Sequence, residues 1–292
     1  MRSNSRIILL DVGGTFVKSS LGIAGKGAVE GTFASTPISS DGTAEEIRNS
    51  FREAASVQMN RAAECGCTVE AVCAALPGPF NYKEGIFMMK HKFAAVYGTS
   101  FREILGDVIN DDVRLAFVHD VNGALLGALA ADDSLKTGNV ALSTFGTGLG
   151  FAYSTDGQVR ESETGSPETN IWNLPYQDGI LEDYVSRRAL LRFYSESGGV
   201  LADGEDVKEI SIRARKGDAN ALEAFRTAGR HYAAGAKEVI SALGIRKVLF
   251  AGQIAKSFDL MEAAVREGLG EEVELSVLED IQGTVLIGVS SL

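Results

Sequence analysis

Residues 7 to 18 read I-I-L-L-D-V-G-G-T-F-V-K, and no other stretch restricts the fold as much. The apolar run Ile7 to Leu10 predicts a buried strand, expected to end at Asp11, and Gly13-Gly14 predicts a hairpin turn directly after it. Glycines at a strand end are free to take positive φ and let a ligand reach the backbone. Their N–H groups can then cradle phosphate oxygens, and Thr15 adds a hydroxyl donor. Asp11, beside that cradle, is placed to hold Mg²⁺ through water. A tight turn closed by an aspartate is the plainer alternative, because two glycines after a strand are a weak motif alone.

At 292 residues the chain is long enough for two domains, each with its own core, and so for a cleft between two lobes. With 45% hydrophobic and 23% charged residues it reads as a soluble globular protein, neither disordered nor collagen-like. No apolar run approaches the roughly 18 residues of a membrane-spanning helix. Met1-Arg2-Ser3-Asn4-Ser5-Arg6 runs into the first strand with no signal-peptide core. The expected location is cytoplasmic, with no membrane partner. A net charge of -11 opposes sequence-independent binding to a phosphate backbone, so nucleic acid is not an expected partner. Cys65, Cys67 and Cys73 read as reduced thiols. Cys65-Gly66-Cys67 could open a metal or redox site, but no C-x-x-C or nearby histidine completes one.

Further along, residues 16–23 and 29–35 are predicted as antiparallel strands completing a three-stranded meander. Asp41-Gly42-Thr43 caps a helix to about Glu64, with Ile47, Phe51, Ala54, Ala55, Met59 and Ala62 on its packing face. Residues 69–76 form an apolar strand ended by Pro77-Gly78-Pro79 and parallel to the first sheet. A loop with a short strand at 86–89 and the run Lys90-His91-Lys92-Phe93 follows. Thr99 then caps a short helix to Leu105. The strand 113–118 leads straight into His119-Asp120-Val121-Asn122 and a helix over 121–131. Open α/β sheets bind ligands at such carboxyl ends, which makes Asp120 a candidate, although a helix N-cap is an ordinary role for it. Strand 139–144, the turn Phe145-Gly146-Thr147-Gly148-Leu149-Gly150 and strand 151–154 repeat the opening design roughly 130 residues on, as in an internal duplication.

Asp11-Val12-Gly13-Gly14-Thr15, His119-Asp120-Val121-Asn122, Gly146-Thr147-Gly148-Leu149-Gly150 and Val248-Leu249-Phe250-Ala251-Gly252-Gln253-Ile254 resemble, in order and spacing, the motifs of the ROK family of sugar kinases in the actin-like ATPase superfamily. The resemblance covers essentially the whole chain. It implies an α/β, two-lobed actin-like (ribonuclease H-like) ATPase fold with the active site in the interlobe cleft. Residues 1–118 with 283–292 would form the small lobe, and 119–282 the large one. It further implies ATP and Mg²⁺ as cofactors, bound by Asp11, Gly13, Gly14, Thr15, Lys18, Gly146, Thr147, Gly148, Gly252 and Gln253. Asp120 matches the catalytic aspartate. Such a base takes the proton of a sugar hydroxyl as it attacks the γ-phosphate, in a reaction that otherwise asks for positioning and charge stabilisation. The sugar positions are Gly78, His119, Asn122, Glu163, Ser166 and Glu182. Glu163 resembles the glutamate of the family's G-E-x-G-H segment and Glu182 that of G-C-L-E-A-Y. On a helix expected over 178–194, Asp183 would pair with Arg187, leaving Glu182 to face a ligand. The implied partners are a sugar, ATP and a second copy of the chain.

Two departures stand out. Ser166 replaces the family's zinc-ligating histidine, and no Cys or His lies between Ser166 and Leu181, so no structural zinc is expected there. The loop reads Ile171-Trp172-Asn173-Leu174-Pro175-Tyr176 instead; Trp172 is expected to pack in a small aromatic core, stacking on a sugar being the alternative. His119 stands where an asparagine often precedes the aspartate. Both changes leave the sugar open, including a β-glucoside disaccharide. The rest is predicted as helices 206–215 and 220–243, strand 247–251, a helix 254–267 opened by Gly252, strand 273–277 and a C-terminal helix from 283. No helix-turn-helix precedes Ile7, which counts against a DNA-binding repressor.

Overall fold

The computed structural model describes residues 4–292. Met1, Arg2 and Ser3, part of the N-terminus read as leaderless, lie outside the described residues. The chain divides into two compact units, one of residues 1–133, 161–168 and 282–292, the other of 134–160 and 169–281. The division expected after residue 118 falls after 133, and the insertion 161–168 was not foreseen. The reason is packing: Gly123, in the helix after residue 119, sits against Val118 and Ala75 of the first unit's sheet.

The first unit is built on β1 (Ser5–Val12), β2 (Phe16–Ile23), β3 (Gly27–Ala28) and β4 (Ala34–Pro37), then α1 (Ala44–Glu64), β5 (Thr68–Leu76), the hairpin β6 (Phe80–Asn81) and β7 (Ile86–Phe87), α2 (Phe101–Leu105), β8 (Arg114–His119) and α3 (Asp120–Ala131). Its sheet runs β3-β2-β1-β5-β8, with β4 also on β2. The glycine hairpin is antiparallel, and β1, β5 and β8 are parallel. The strand expected over 29–35 starts only at Ala34, as β4. Gly31 takes φ +76°, and the Thr32 hydroxyl accepts the Leu21 N–H at 3.1 Å in place of a strand carbonyl, so the chain bows out between β3 and β4. Thr43 and Glu46 form the capping box of α1, whose buried face carries Ile47, Phe51, Ala54, Ala55, Gln58 and Ala62. Ser100, not Thr99, caps α2.

The second unit contains β9 (Asn139–Phe145), β10 (Leu149–Thr155), β11 (Gln158–Val159), the hairpin β12 (Pro175–Tyr176) and β13 (Gly179–Ile180), a 3-10 turn over Leu181–Tyr184, α4 (Arg187–Glu196), α5 (Val207–Arg215), α6 (Ala219–Ala242), β14 (Lys247–Ala251), α7 (Glu262–Leu269) and β15 (Glu274–Val277). Its sheet runs β11-β10-β9-β14-β15. The order matches that of the first unit: a glycine-turn hairpin whose first strand continues into two parallel strands. The helix expected over 178–194 is broken, because Gly179 and Ile180 pair with β12 and Ser186 starts α4 afresh. The helix expected at 254–267 is likewise a 3-10 segment, Ala255–Leu260, followed by α7. Among the described residues no helix is long and apolar enough to cross a membrane.

The C-terminal helix Ile281–Val289 returns to the first unit and lies on α3 without side chains between the two backbones. A methyl on Gly288 would enter the Gly123 carbonyl, and one on Gly127 the carbonyl of Thr284. Gly288→Ala should therefore lower the unfolding free energy by roughly 2–3 kcal/mol, read by urea denaturation. Cys73 is buried in β5, and burial pushes its thiol up to about 11. A thiol reagent at pH 8 should modify Cys65 and Cys67 on the folded protein and reach Cys73 only on unfolding.

Candidate active site

The register of the first sheet sets the site. Asp11 pairs with Ala75, and Ala75 with Val118, so β1, β5 and β8 end at one edge with Asp11, Pro77-Gly78 and His119-Asp120 in neighbouring rows. Gly13 and Gly14 turn the chain from β1 to β2 with the Gly13 N–H donating to the Phe16 carbonyl at 2.9 Å. Neither uses the positive φ open to a glycine; a side chain at Gly13 would lie 3.3 Å from that carbonyl. Gly13 and Thr15 are exposed and Gly14 half-buried. Lys18, opposite Asp11 in the register, reaches its carboxylate at 3.4 Å. Burial raises the Asp11 carboxyl, Lys18 opposes that, and the negative charge of Asp120 adds to it. Burial is thus what raises Asp11, and the positive charge of Lys18 outweighs the negative charge of Asp120.

Asp120 is the first residue of α3, and His119, not Asp120, is the N-cap. Asp120 Oδ1 lies 2.8 Å from His119 Nδ1 and accepts the Val121 N–H at 2.7 Å, a donor that also lies 3.3 Å from that nitrogen. Enclosure by protein works to raise the Asp120 carboxyl, but His119, the Val121 N–H and the positive charge of Lys92 carry it below the ordinary carboxylate value. About half of its side-chain surface, 47%, still meets solvent, which screens these charges. Gly78 faces the His119 ring, where a methyl would lie 3.3 Å from Cδ2 and 3.4 Å from Nε2. Tyr82, whose hydroxyl donates to the Leu76 carbonyl at 3.0 Å, places its ring 5.7 Å from that of His119. Burial, then the charge of Asp120, holds the Tyr82 phenol well above its usual range.

The segment 161–168 docks on the same unit. The Tyr82 N–H donates to the Thr164 carbonyl at 2.9 Å, and Gly165, at φ +84°, lies against the Tyr82 side chain. Asn122 is fully buried; its amide donates to Glu161 at 3.4 Å, while its Oδ1 is buried with no hydrogen-bond partner. Burial raises the Glu161 carboxyl, against the Asn122 hydrogen bond and Lys83. Glu163 is exposed, and Ser166 is half-buried, its hydroxyl 3.4 Å from that of Thr164. Gly78, His119, Asp120, Asn122, Glu163 and Ser166 therefore fall in one unit. Glu161, Tyr82 and Lys92 were missed. The first acid of E-S-E and the second lysine of K-H-K were visible, but nothing in the spacing tied either to the site.

In the second unit the turn between β9 and β10 holds Gly146, Thr147 and Gly148. The Gly146 N–H donates to the Gly148 carbonyl at 3.1 Å, and the Gly146 carbonyl accepts from Arg187 at 2.9 Å. Glu182, predicted to face a sugar, faces this turn: Oε2 accepts the Leu149 N–H at 2.9 Å, and a methyl on Gly148 would collide with it. The Asp183–Arg187 pair does not form. Arg187 grips Asp206 through Nε at 2.8 Å to both oxygens, and Arg188 approaches Glu182 and Asp183 at 3.8 and 3.7 Å. Gly252, at φ +98°, lies so close to the Phe145 backbone that no side chain fits, and Gln253 is exposed beside it. Glu182 and the turn are thus one hydrogen-bonded unit.

The ROK family model matches residues 8–278 of this chain. The chain belongs to the ROK family. Its fold is the family's actin-like ATPase fold. A ROK family glucokinase from Streptomyces griseus in complex with glucose and AMPPNP is 22% identical with a TM-score of 0.74, covering 98% of both chains. A glucokinase from Parabacteroides distasonis is 18% identical with a TM-score of 0.79, over 99% of this chain and 97% of its own. A ROK family transcriptional regulator, a homolog of the E. coli MLC protein, is 18% identical with a TM-score of 0.77, over 99% of this chain and 79% of its own. Comparison with curated protein sequences returned no match.

Where this ROK chain departs from the family pattern, the loop after Ser166 is closed by side chains. Ile171 enters the core, whereas Trp172, expected to do so, is 40% exposed. The aromatic group forms instead around His231 of α6, whose Nδ1 lies 2.9 Å from the Tyr176 hydroxyl and whose ring stacks on Phe193 at 5.3 Å, with Tyr184 at 4.9 Å. Among the described residues no cluster of three or more His, Cys, Asp or Glu side chains is arranged to hold a metal ion. The loop delivers Glu182 through its backbone, the Glu182 N–H donating to the Trp172 carbonyl at 3.0 Å. Glu182→Ala should lower the unfolding free energy by about 1–2 kcal/mol by stranding the Leu149 N–H, and Glu182→Gln, which keeps an oxygen acceptor, should lose less in the same urea titration.

Proposed function

We propose that this chain transfers the γ-phosphoryl group of ATP to a hydroxyl of a hexose, the 6-hydroxyl of a glucose-like sugar, with Asp120 as general base. The observation that carries the reading is the setting of Asp120. It is a carboxylate held ionised at the carboxyl end of β8, partly open to solvent. Around it stand Gly78, His119 and the Asn122–Glu161 pair. Within this reading Asp11, Gly13, Gly14, Thr15 and Lys18 of the first unit, and Gly146, Thr147, Gly148, Gly252 and Gln253 of the second, bind ATP. Gly78, His119, Asn122, Glu163 and Ser166 bind the sugar. Glu182, also read as a sugar residue, anchors the second turn through Oε2 and has Arg188 at 3.8 Å from Oε1.

Asp11, a carboxylate at the end of β1 beside the glycine turn, is the group that would hold a Mg²⁺ ion through water, since Mg²⁺ takes one or two carboxylates together with substrate phosphates. When bound, the ion neutralises phosphate charge. The chain's own part is to position the acceptor hydroxyl within hydrogen-bond reach of Asp120 and to receive its proton. The likeness to the glucokinases of Streptomyces griseus and Parabacteroides distasonis supports the choice of sugar.

A sugar-sensing regulatory protein that binds without turnover is the second reading. It is favoured by the His119 contact, which makes Asp120 a weaker base than a free carboxylate. ADP release from Mg-ATP across glucose, mannose, fructose, N-acetylhexosamines and β-glucosides separates the two. Sugar-dependent release, reduced about 10²- to 10⁴-fold in Asp120→Asn, is the expected result. Sugar binding with no release for any acceptor supports the sensor.

A further inference from the structure

We propose that His119 is a positioning residue for Asp120: its imidazole, protonated on Nδ1, holds Oδ1 of the carboxylate and leaves Oδ2 as the atom that takes the proton of the acceptor hydroxyl. This rests on the kinase reading above. His119 Nδ1 and Asp120 Oδ1 are 2.8 Å apart, a separation at which two lone pairs repel, so a proton lies between them. That nitrogen then cannot accept the Val121 N–H at 3.3 Å, which goes to Oδ1 at 2.7 Å. Oδ1 is occupied by two donors, and Oδ2 has no hydrogen-bond partner among the described residues. The ring is held in this orientation by the Tyr82 ring at 5.7 Å and by the missing side chain of Gly78.

In the transfer the hydroxyl O–H bond breaks and its proton passes to Oδ2. The sugar oxygen bonds to the γ-phosphorus, and the bond from that phosphorus to the bridging oxygen breaks, its electrons leaving on ADP. His119 keeps its protons throughout. Protonated on both nitrogens it becomes a cationic donor, which stabilises the carboxylate further and weakens it as a base. The other charged or titratable groups facing the pair are Tyr82, Lys92 from the loop after β7, and Asp11 at the end of β1.

The test compares kcat and KM, with Mg-ATP and the best sugar, for the parent, His119→Asn and His119→Ala. Asparagine can donate to Oδ1 in place of the imidazole, and alanine cannot. The expected result is a kcat about tenfold below the parent's in His119→Ala that His119→Asn largely restores. A kcat in His119→Asn no higher than in His119→Ala overturns the proposal. Long-range ¹H–¹⁵N NMR of the parent is expected to find His119 protonated on Nδ1; a neutral ring protonated on Nε2 overturns the proposal without reference to activity. A parent that releases no ADP with any sugar overturns the kinase reading and the role of Oδ2 together, a failure distinct from an active parent in which asparagine rescues nothing.

Discussion

Three parallel strands in register place the polar groups of the first unit. Because Asp11, Ala75 and Val118 share a row, the chain leaves the sheet three times at one edge, and each exit carries a different element: the glycine turn, the Pro77-Gly78-Pro79 corner and α3. β1 and β8 flank β5, so with adjacent strands roughly 5 Å apart Asp11 and Asp120 stand about two spacings from each other, near enough to feel each other's charge without touching. Burial is the main cause of the raised Asp11 carboxyl, and the charge of Asp120 adds to it. A one-residue slip of β5 would turn alternate side chains to the opposite face and dismantle the arrangement.

The second unit reuses the plan with different side chains. Its hairpin turn also joins an antiparallel pair whose first strand runs parallel to the next, but here the turn is held from outside by Glu182 and Arg187 rather than by its own sheet. The two anchors sit on either side of the break between the 3-10 turn and α4, so the irregularity at Val185 and Ser186 lets neighbouring residues reach the same loop. His231 and its aromatic neighbours close the far side of that loop with buried ring surface.

Much of this was legible. β2 and β14 were read with their observed bounds, because apolar alternation and glycine punctuation are local signals. The four motifs gave the family. What stayed hidden depends on contacts between distant residues. Thr32 replacing a strand bond, Ile171 rather than Trp172 turning inward, and Arg187 choosing Asp206 over Asp183 are decided by neighbours far along the chain. The same holds at the site. The importance of His119 and Asp120 could be read from their place after a strand, but the pairing of Asn122 with Glu161 and the Tyr82 ring beneath His119 required the segment 161–168 to be placed. The glycines carried a further lesson. Gly13 and Gly14 were free to take positive φ and do not use it, whereas Gly252 does and also has no room for a side chain beside Phe145.

The first unit is assembled from three separate stretches of chain, the last being residues 282–292. On a ribosome, residues 1–133 emerge long before the helix that covers Gly123 and Gly127, and the whole second unit is synthesised in between. Until then the bare backbone of α3 has no helix to meet it, and the N–H groups of Gly25 and Gly27 lack Ser290. The unit that holds Asp120 is therefore completed only after the second unit has been made, which couples the folding of Asp120's surroundings to synthesis of a distant segment.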